Sequence, residues 1–109
     1  MDIRKAFEPY YSERYRVAAE AHARAASEAL RLKKMMERVH ASLITHGEGS
    51  ISSREYAAKC NIKYTEVEDA WIKADDAANL LRVAVDKIEI EFKEFQSVNA
   101  NRRAEASIR

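Results

Sequence analysis

From Val67 to Phe95 the residues Val67, Trp71, Ala74, Ala78, Leu81, Val85, Ile88, Phe92 and Phe95 follow one another at alternating steps of four and three. This 3.5-residue period is that of a helix seam packed along another helix. At about 1.5 Å rise per residue, a helix over 65–99 would run on the order of 50 Å and needs a partner along its length. The chain supplies one. Tyr11, Tyr15, Ala18, His22, Ala25, Ala29, Leu32, Met36, Val39 and Leu43 step by four and three in the same way.

Breaker residues agree with a helical chain. Two glycines and one proline in 109 residues are too few for a sandwich or barrel, which needs a turn every 8 to 12 residues or so. The fold class is therefore all-α, as one domain by length. Pro9 suits a helix first turn, which places the first long helix over about 10–46. Gly47 and Gly49 follow its last seam residue, where a left-handed C-cap is expected. Ser52-Ser53-Arg54-Glu55 fits a capping box opening a short helix over 52–60, with Tyr56, Ala57 and Cys60 as its apolar face. Asn61 to Tyr64 reads as a turn, and Thr65-Glu66-Val67-Glu68 as a second capping box that starts a helix over 65–99. Residues 100–109 lose the seam and are expected to fray into a basic tail.

The expected architecture is an antiparallel long-helix hairpin, coiled-coil-like, with the short helix at its elbow. Pairing positions that sum to about 110 sets Val39 against Trp71, Met36 against Ala74, Ala29 against Leu81, Ala25 against Val85, His22 against Ile88, Ala18 against Phe92 and Tyr15 against Phe95. Small residues then meet large ones at most layers. Charge agrees: residues 1–46 hold nine Lys or Arg against six Asp or Glu, and residues 65–98 hold four against nine. Such pairs select orientation more than they add stability. Arg31, Lys33, Lys34 and Arg38 are expected beside Asp69, Asp75 and Asp76, and Arg14, Arg16 and Arg24 near Glu89 and Glu91.

A second apolar stripe is left over. Ala19, Ala23, Ala26 and Leu30 on the first rod, with Ala70, Ala77 and Ala84 and separately Leu80, Val83 and Ile90 on the second, widen the apolar arc beyond a two-stranded seam. The expectation is a homodimer forming a four-helix or larger bundle; the alternative is the short helix folded over that stripe. Leu80, Val83 and Ile90 are the first candidates for an interaction surface.

Chemistry-bearing residues are sparse. His22 lies on the seam among alanines, more a core position than a ligand, and His40 and His46 are six apart, not the three or four of two ligands on one helix face. Inward carboxylates are missing from both seams, which removes a di-iron bundle. Cys60 has no histidine beside it to act as base and reads as a small buried residue; as the single cysteine it cannot close an intrachain disulfide, which suits a reducing cytoplasm. Asp75 and Asp76 fall on the solvated outer face, and no phosphate loop is compatible with these two glycines. No cofactor, metal or catalytic set is expected, and the chain is not read as an enzyme.

A net charge of +1 favours neither nucleic acid nor an anionic membrane, and no apolar run approaches the roughly 18 residues of a membrane span. The polar residues Asp2, Arg4, Lys5 and Glu8 leave no signal-peptide core. The segment 52–71 has the length of a helix-turn-helix, but its second helix would begin with Glu66, Glu68 and Asp69, which phosphates repel. Nucleic-acid contact would rest instead on Arg31, Lys34, Arg38, Arg102 and Arg103, with Arg109 beyond them.

Phe92-x-x-Phe95-Gln96-Ser97-Val98-Asn99-Ala100-Asn101-Arg102-Arg103-Ala104-Glu105 closes a long helix after an elbow carrying Arg54-Glu55-Tyr56-Ala57. Over about the last half of the chain this resembles small helical proteins of tailed bacteriophages and prophages. The resemblance implies an accessory protein grouped with recombination and replication genes, in the host cytoplasm, and carries over no catalytic residue. The expected function is non-enzymatic binding of another protein, a host defence or DNA-processing factor, through the outer stripe together with Arg102 and Arg103. The alternative is a nucleic-acid accessory factor.

Overall fold

A computed structural model describes residues 3–108 of the chain, with side chains over 9–107. The readings made on Asp2 and Arg109, and on the side chains of Arg4, Lys5 and Glu8, lie outside the described residues. The element order is α1 (Ile3–Thr45), α2 (Ile51–Cys60) and α3 (Ile62–Ile108), with no strand among the described residues. The all-α class and the two long helices are those the seams require. Every α1 seam position except Tyr15, and every α3 seam position, is withdrawn from solvent at least in part. Only three described side chains are buried outright, Ala29, Ala58 and Ala78. That is what paired helices produce: each turns one face inward, and full burial needs a side chain too short to reach the rim.

The chain divides into two compact units, Met1–His22 with Leu80–Arg109, and Ala23–Asn79. The second is a helical hairpin built on the elbow. At its bend the His46 N–H bonds the Ser42 carbonyl at 3.0 Å and the Gly47 N–H bonds the Ile44 carbonyl at 3.3 Å, tightening the last turn of α1. Gly49, not Gly47, adopts the left-handed backbone, with φ +97°. Gly47 is instead closely approached: a Cβ there would lie 3.0 Å from the Leu43 carbonyl oxygen and 3.2 Å from Arg54 Cγ.

The helix starts differ from the capping boxes. The N-cap of α2 is Ser50, not Ser52; its Oγ accepts the Ser53 N–H at 3.2 Å, and its carbonyl accepts the Arg54 N–H at 2.9 Å. The earlier start is fixed by Arg54, whose Nε donates to the Gly49 carbonyl at 3.0 Å and ties α2 back onto the bend. Nor is there a four-residue turn before α3. Asn61 alone separates the helices, donating its N–H to the Ala58 carbonyl at 3.2 Å while its Oδ1 accepts the Lys63 N–H at 2.9 Å. One residue thus ends α2 and caps α3, and Thr65 lies inside the helix with its hydroxyl on the Ile62 carbonyl. The inward face of α2 also changes. Ala58 is 2% exposed, whereas Tyr56 is 75% exposed and Ala57 and Cys60 are exposed with it. Cys60 is therefore not the small buried residue expected of it.

Both ends of the molecule are more helical than the sequence suggests. Pro9 sits inside α1, which begins at Ile3, so it removes one backbone hydrogen bond from an early turn instead of opening the helix. Residues 100–108, expected to fray, continue α3 to Ile108.

In the unit of Met1–His22 with Leu80–Arg109, α1 and α3 run antiparallel. Tyr11 packs on Phe92 and Phe95 with ring centroids 5.2 and 5.5 Å apart, Arg14 Nη1 meets Glu91 Oε2 at 3.2 Å, and Tyr15 lines one groove with Glu89. In the other unit His40 lies against Tyr64, ring centroids 5.4 Å apart. These pairs add to between 103 and 106, so the expected register of about 110 is displaced by four to seven residues, the Tyr11–Phe92 seam pair by a full heptad. The physical reason is the period itself: sliding a seam by seven residues returns seam to seam, and apolar spacing alone does not choose between the two. Tyr11, rather than Tyr15, meets Phe95.

Candidate functional site

On the outer face of α3 large apolar side chains recur at helical spacing and stand in solvent. Leu80 is 72% exposed, and Val83 and Ile90 are each 56% exposed. Val98, also exposed, extends the stripe, and Ile90, Lys93, Glu94, Ser97 and Val98 line a shallow depression along it. Val98 was legible as the next apolar position after Ile90 but stood inside the segment read for its resemblance. Three and four residues apart, Leu80, Val83, Lys87, Ile90, Glu94 and Val98 share one side of the helix. The seam residues Leu81, Val85, Ile88 and Phe92 take another. On α1, Ala23, Ala26 and Leu30 are exposed, while Ala19 is half-buried.

The basic residues fall into two sets. Arg102 and Arg103 are exposed near the end of α3, in the unit of Met1–His22 with Leu80–Arg109; Arg31, Lys34 and Arg38 are exposed on α1 in the unit Ala23–Asn79. Arg31 is engaged by its own helix, Nε and Nη2 on the two Glu28 carboxylate oxygens at 2.9 and 2.6 Å; the pairing holds the Glu28 carboxyl below its ordinary range and Arg31 above its own. Arg16 is clamped in the same way between Glu13 and Glu20, not by α3. Of the cross-helix pairs expected, Arg14 with Glu91 is formed.

His22 is half-buried on the seam, His40 stacks on Tyr64 with its Nε2 buried and unbonded, and His46 Nδ1 contacts the Ser42 carbonyl at 2.8 Å. Among the described residues no group of three or more His, Cys, Asp or Glu is placed to hold a metal ion. Asp75, read as solvated, is half-buried, and Asp76 is exposed. No described helix is long and apolar enough to cross a membrane.

Sequence reasoning missed one feature, a groove of about 350 Å³ between α1 and α3 lined by Tyr11, Ser12, Tyr15, Ile88, Glu89 and Phe92. Its volume lies at the low end of the range for small-ligand pockets. The carboxylate of Glu89, with desolvation and the more distant charge of Asp86, pushes the Tyr15 phenol above its ordinary value. The signal was present as Tyr11 and Tyr15 one turn apart, but only the true register sets them over Glu89 and Phe92. Against this geometry, comparison of the chain with protein-family models, curated proteins and solved structures gives no match.

Proposed function

We propose that the chain is a non-enzymatic interaction protein, an accessory protein of the phage type its closing motif resembles, which works as a homodimer and binds a second protein, a host defence or DNA-processing factor. The observation that carries this reading is the exposed stripe Leu80, Val83 and Ile90 on a helix whose opposite face is already used. Contiguous exposed apolar surface of this kind marks association sites.

Its charges favour a second copy arranged antiparallel. Centred between Asp86 and Lys87, such a pairing sets Val83 against Ile90 of the second copy and Lys87 against Asp86 of the second copy. A parallel pairing would oppose Lys87 to Lys87 and Glu94 to Glu94, like charges within the stripe. Cross-linking at Val83→Cys and Ile90→Cys in a Cys60→Ser background tests the arrangement: the double variant forms an intermolecular disulfide, and a chain that remains uncrosslinked under oxidation contradicts it.

The competing reading is nucleic-acid binding, favoured by the exposure of Arg31, Lys34, Arg38, Arg102 and Arg103. Phosphate contact by these side chains makes affinity fall steeply with salt. An anisotropy titration at low salt with no response to DNA or RNA removes it.

A further inference from the structure

The groove beside Tyr15 has two properties that belong together: aromatic walls and uncompensated negative charge. Tyr11, Tyr15 and Phe92 supply three ring faces or edges, and Glu89 supplies a carboxylate at the rim. An ionised carboxylate offers about four acceptor sites. Among the described residues Glu89 has no ion-pair partner within 4.0 Å. Arg14 is committed to Glu91 at 3.2 Å, and Lys93 lines the separate depression beside Ile90 and Val98. The raised phenol of Tyr15 reports the same imbalance, since the two carboxylates act on it.

A guanidinium already lies against tyrosine rings next to the groove. The Arg14 guanidinium lies over the Tyr10 ring at 5.3 Å and by the Tyr11 ring at 6.0 Å from the centroids, within the range of cation–π attraction. A planar guanidinium stacks on aromatic faces and meets a carboxylate through paired N–H donors, which a compact ammonium does less well.

We propose that this groove receives an arginine side chain of a protein partner, its guanidinium on the Glu89 carboxylate and its methylene stem against Tyr11, Tyr15 and Phe92. The proposal rests on the reading of the chain as a protein binder, at a site separate from the outer stripe of α3. It adds a chemistry that the stripe lacks: an apolar face tolerates many partners, whereas a carboxylate in an aromatic groove discriminates charge.

The test is a titration of the full chain with the peptide acetyl-Ala-Arg-Ala-amide, followed by NMR of the assigned aromatic rings, beside the neutral isostere in which citrulline replaces arginine. The arginine peptide is expected to shift Tyr11, Tyr15 and Phe92 saturably, with a dissociation constant on the order of millimolar, and the citrulline peptide to bind roughly tenfold more weakly. Glu89→Gln, an exposed substitution on α3, is expected to lose the same preference while its helical circular dichroism is retained. Absence of saturable shifts, equal binding of the two peptides, or an undiminished preference in Glu89→Gln each overturns the proposal. Self-association, measured separately by sedimentation, reports on the stripe, so failure of one site is distinguishable from failure of the other.

Discussion

Tyr11 of α1 packs on Phe92 of α3 with ring centroids 5.2 Å apart and planes tilted by 40°. This contact, with Arg14 on Glu91 one turn further along α1, distinguishes the observed register from one displaced by about a heptad. Aromatic pairs are worth about 0.5–1.5 kcal/mol beyond their area burial. A double-mutant cycle on Tyr11→Ala and Phe92→Ala is therefore expected to return a coupling in that range by denaturant melts. The same cycle on Tyr15 and Phe95, partners in the displaced register, should return a value near zero; the reverse pattern would restore the other alignment.

The caps separate the elbow as built from the elbow as first read. Ser50→Ala removes the side chain that accepts the Ser53 N–H and is expected to cost about 1 kcal/mol. Ser52→Ala, on an exposed residue inside α2, should stay within about 0.5 kcal/mol of the parent. Thermal melts of the two single variants decide between the sites.

Gly49 carries a backbone requirement and Gly47 a spatial one. Gly49→Ala forces a Cβ into φ +97°, a destabilisation of about 1–2 kcal/mol. Gly47→Ala sets its Cβ against the Leu43 carbonyl and Arg54, so the carbonyl or the arginine must give way and the Arg54 contact to Gly49 is expected to loosen. Equal or raised melting temperatures for both would show that the bend tolerates other geometry.

These elbow residues also show how far the sequence could be read. The seams were legible because side-chain burial follows helix phase, and so was the stripe of Leu80, Val83 and Ile90, the apolar positions left over once the seam is assigned. Register was not legible, since it hangs on two aromatic contacts and an ion pair that a seven-residue repeat does not encode. Ser50, Ser52 and Ser53 are all competent caps, and the choice is made by Arg54 reaching back to Gly49. The phase of α2, which buries Ala58 instead of Cys60, follows from that choice. The groove of Tyr15 and Glu89 exists only between two helices in the right register, so no local pattern announces it.

Stability should also fall at high pH. Tyr64, by burial and then the nearby Glu68 carboxylate, and Tyr15, by the nearby Glu89 carboxylate, both ionise above the ordinary value of 10.0. A folded-state pKa raised in this way contributes stability that is fully present below pH 10 or so and is lost as pH rises through the folded value. Melting temperature is expected to decline above that pH in the parent and less steeply in Tyr15→Phe/Tyr64→Phe. Parallel pH profiles for the two proteins would show that these phenols are not the cause.

The proposed dimer forms through the outer face of α3, and sedimentation equilibrium at micromolar concentration reads it most directly. The parent chain is expected at twice 12.5 kDa. Leu80→Glu/Ile90→Glu, which places charges in the stripe while leaving the seam intact, is expected at 12.5 kDa with unchanged helical circular dichroism. A parent chain that sediments at 12.5 kDa, or a dimer that survives both substitutions, contradicts the assignment of this face as the interface.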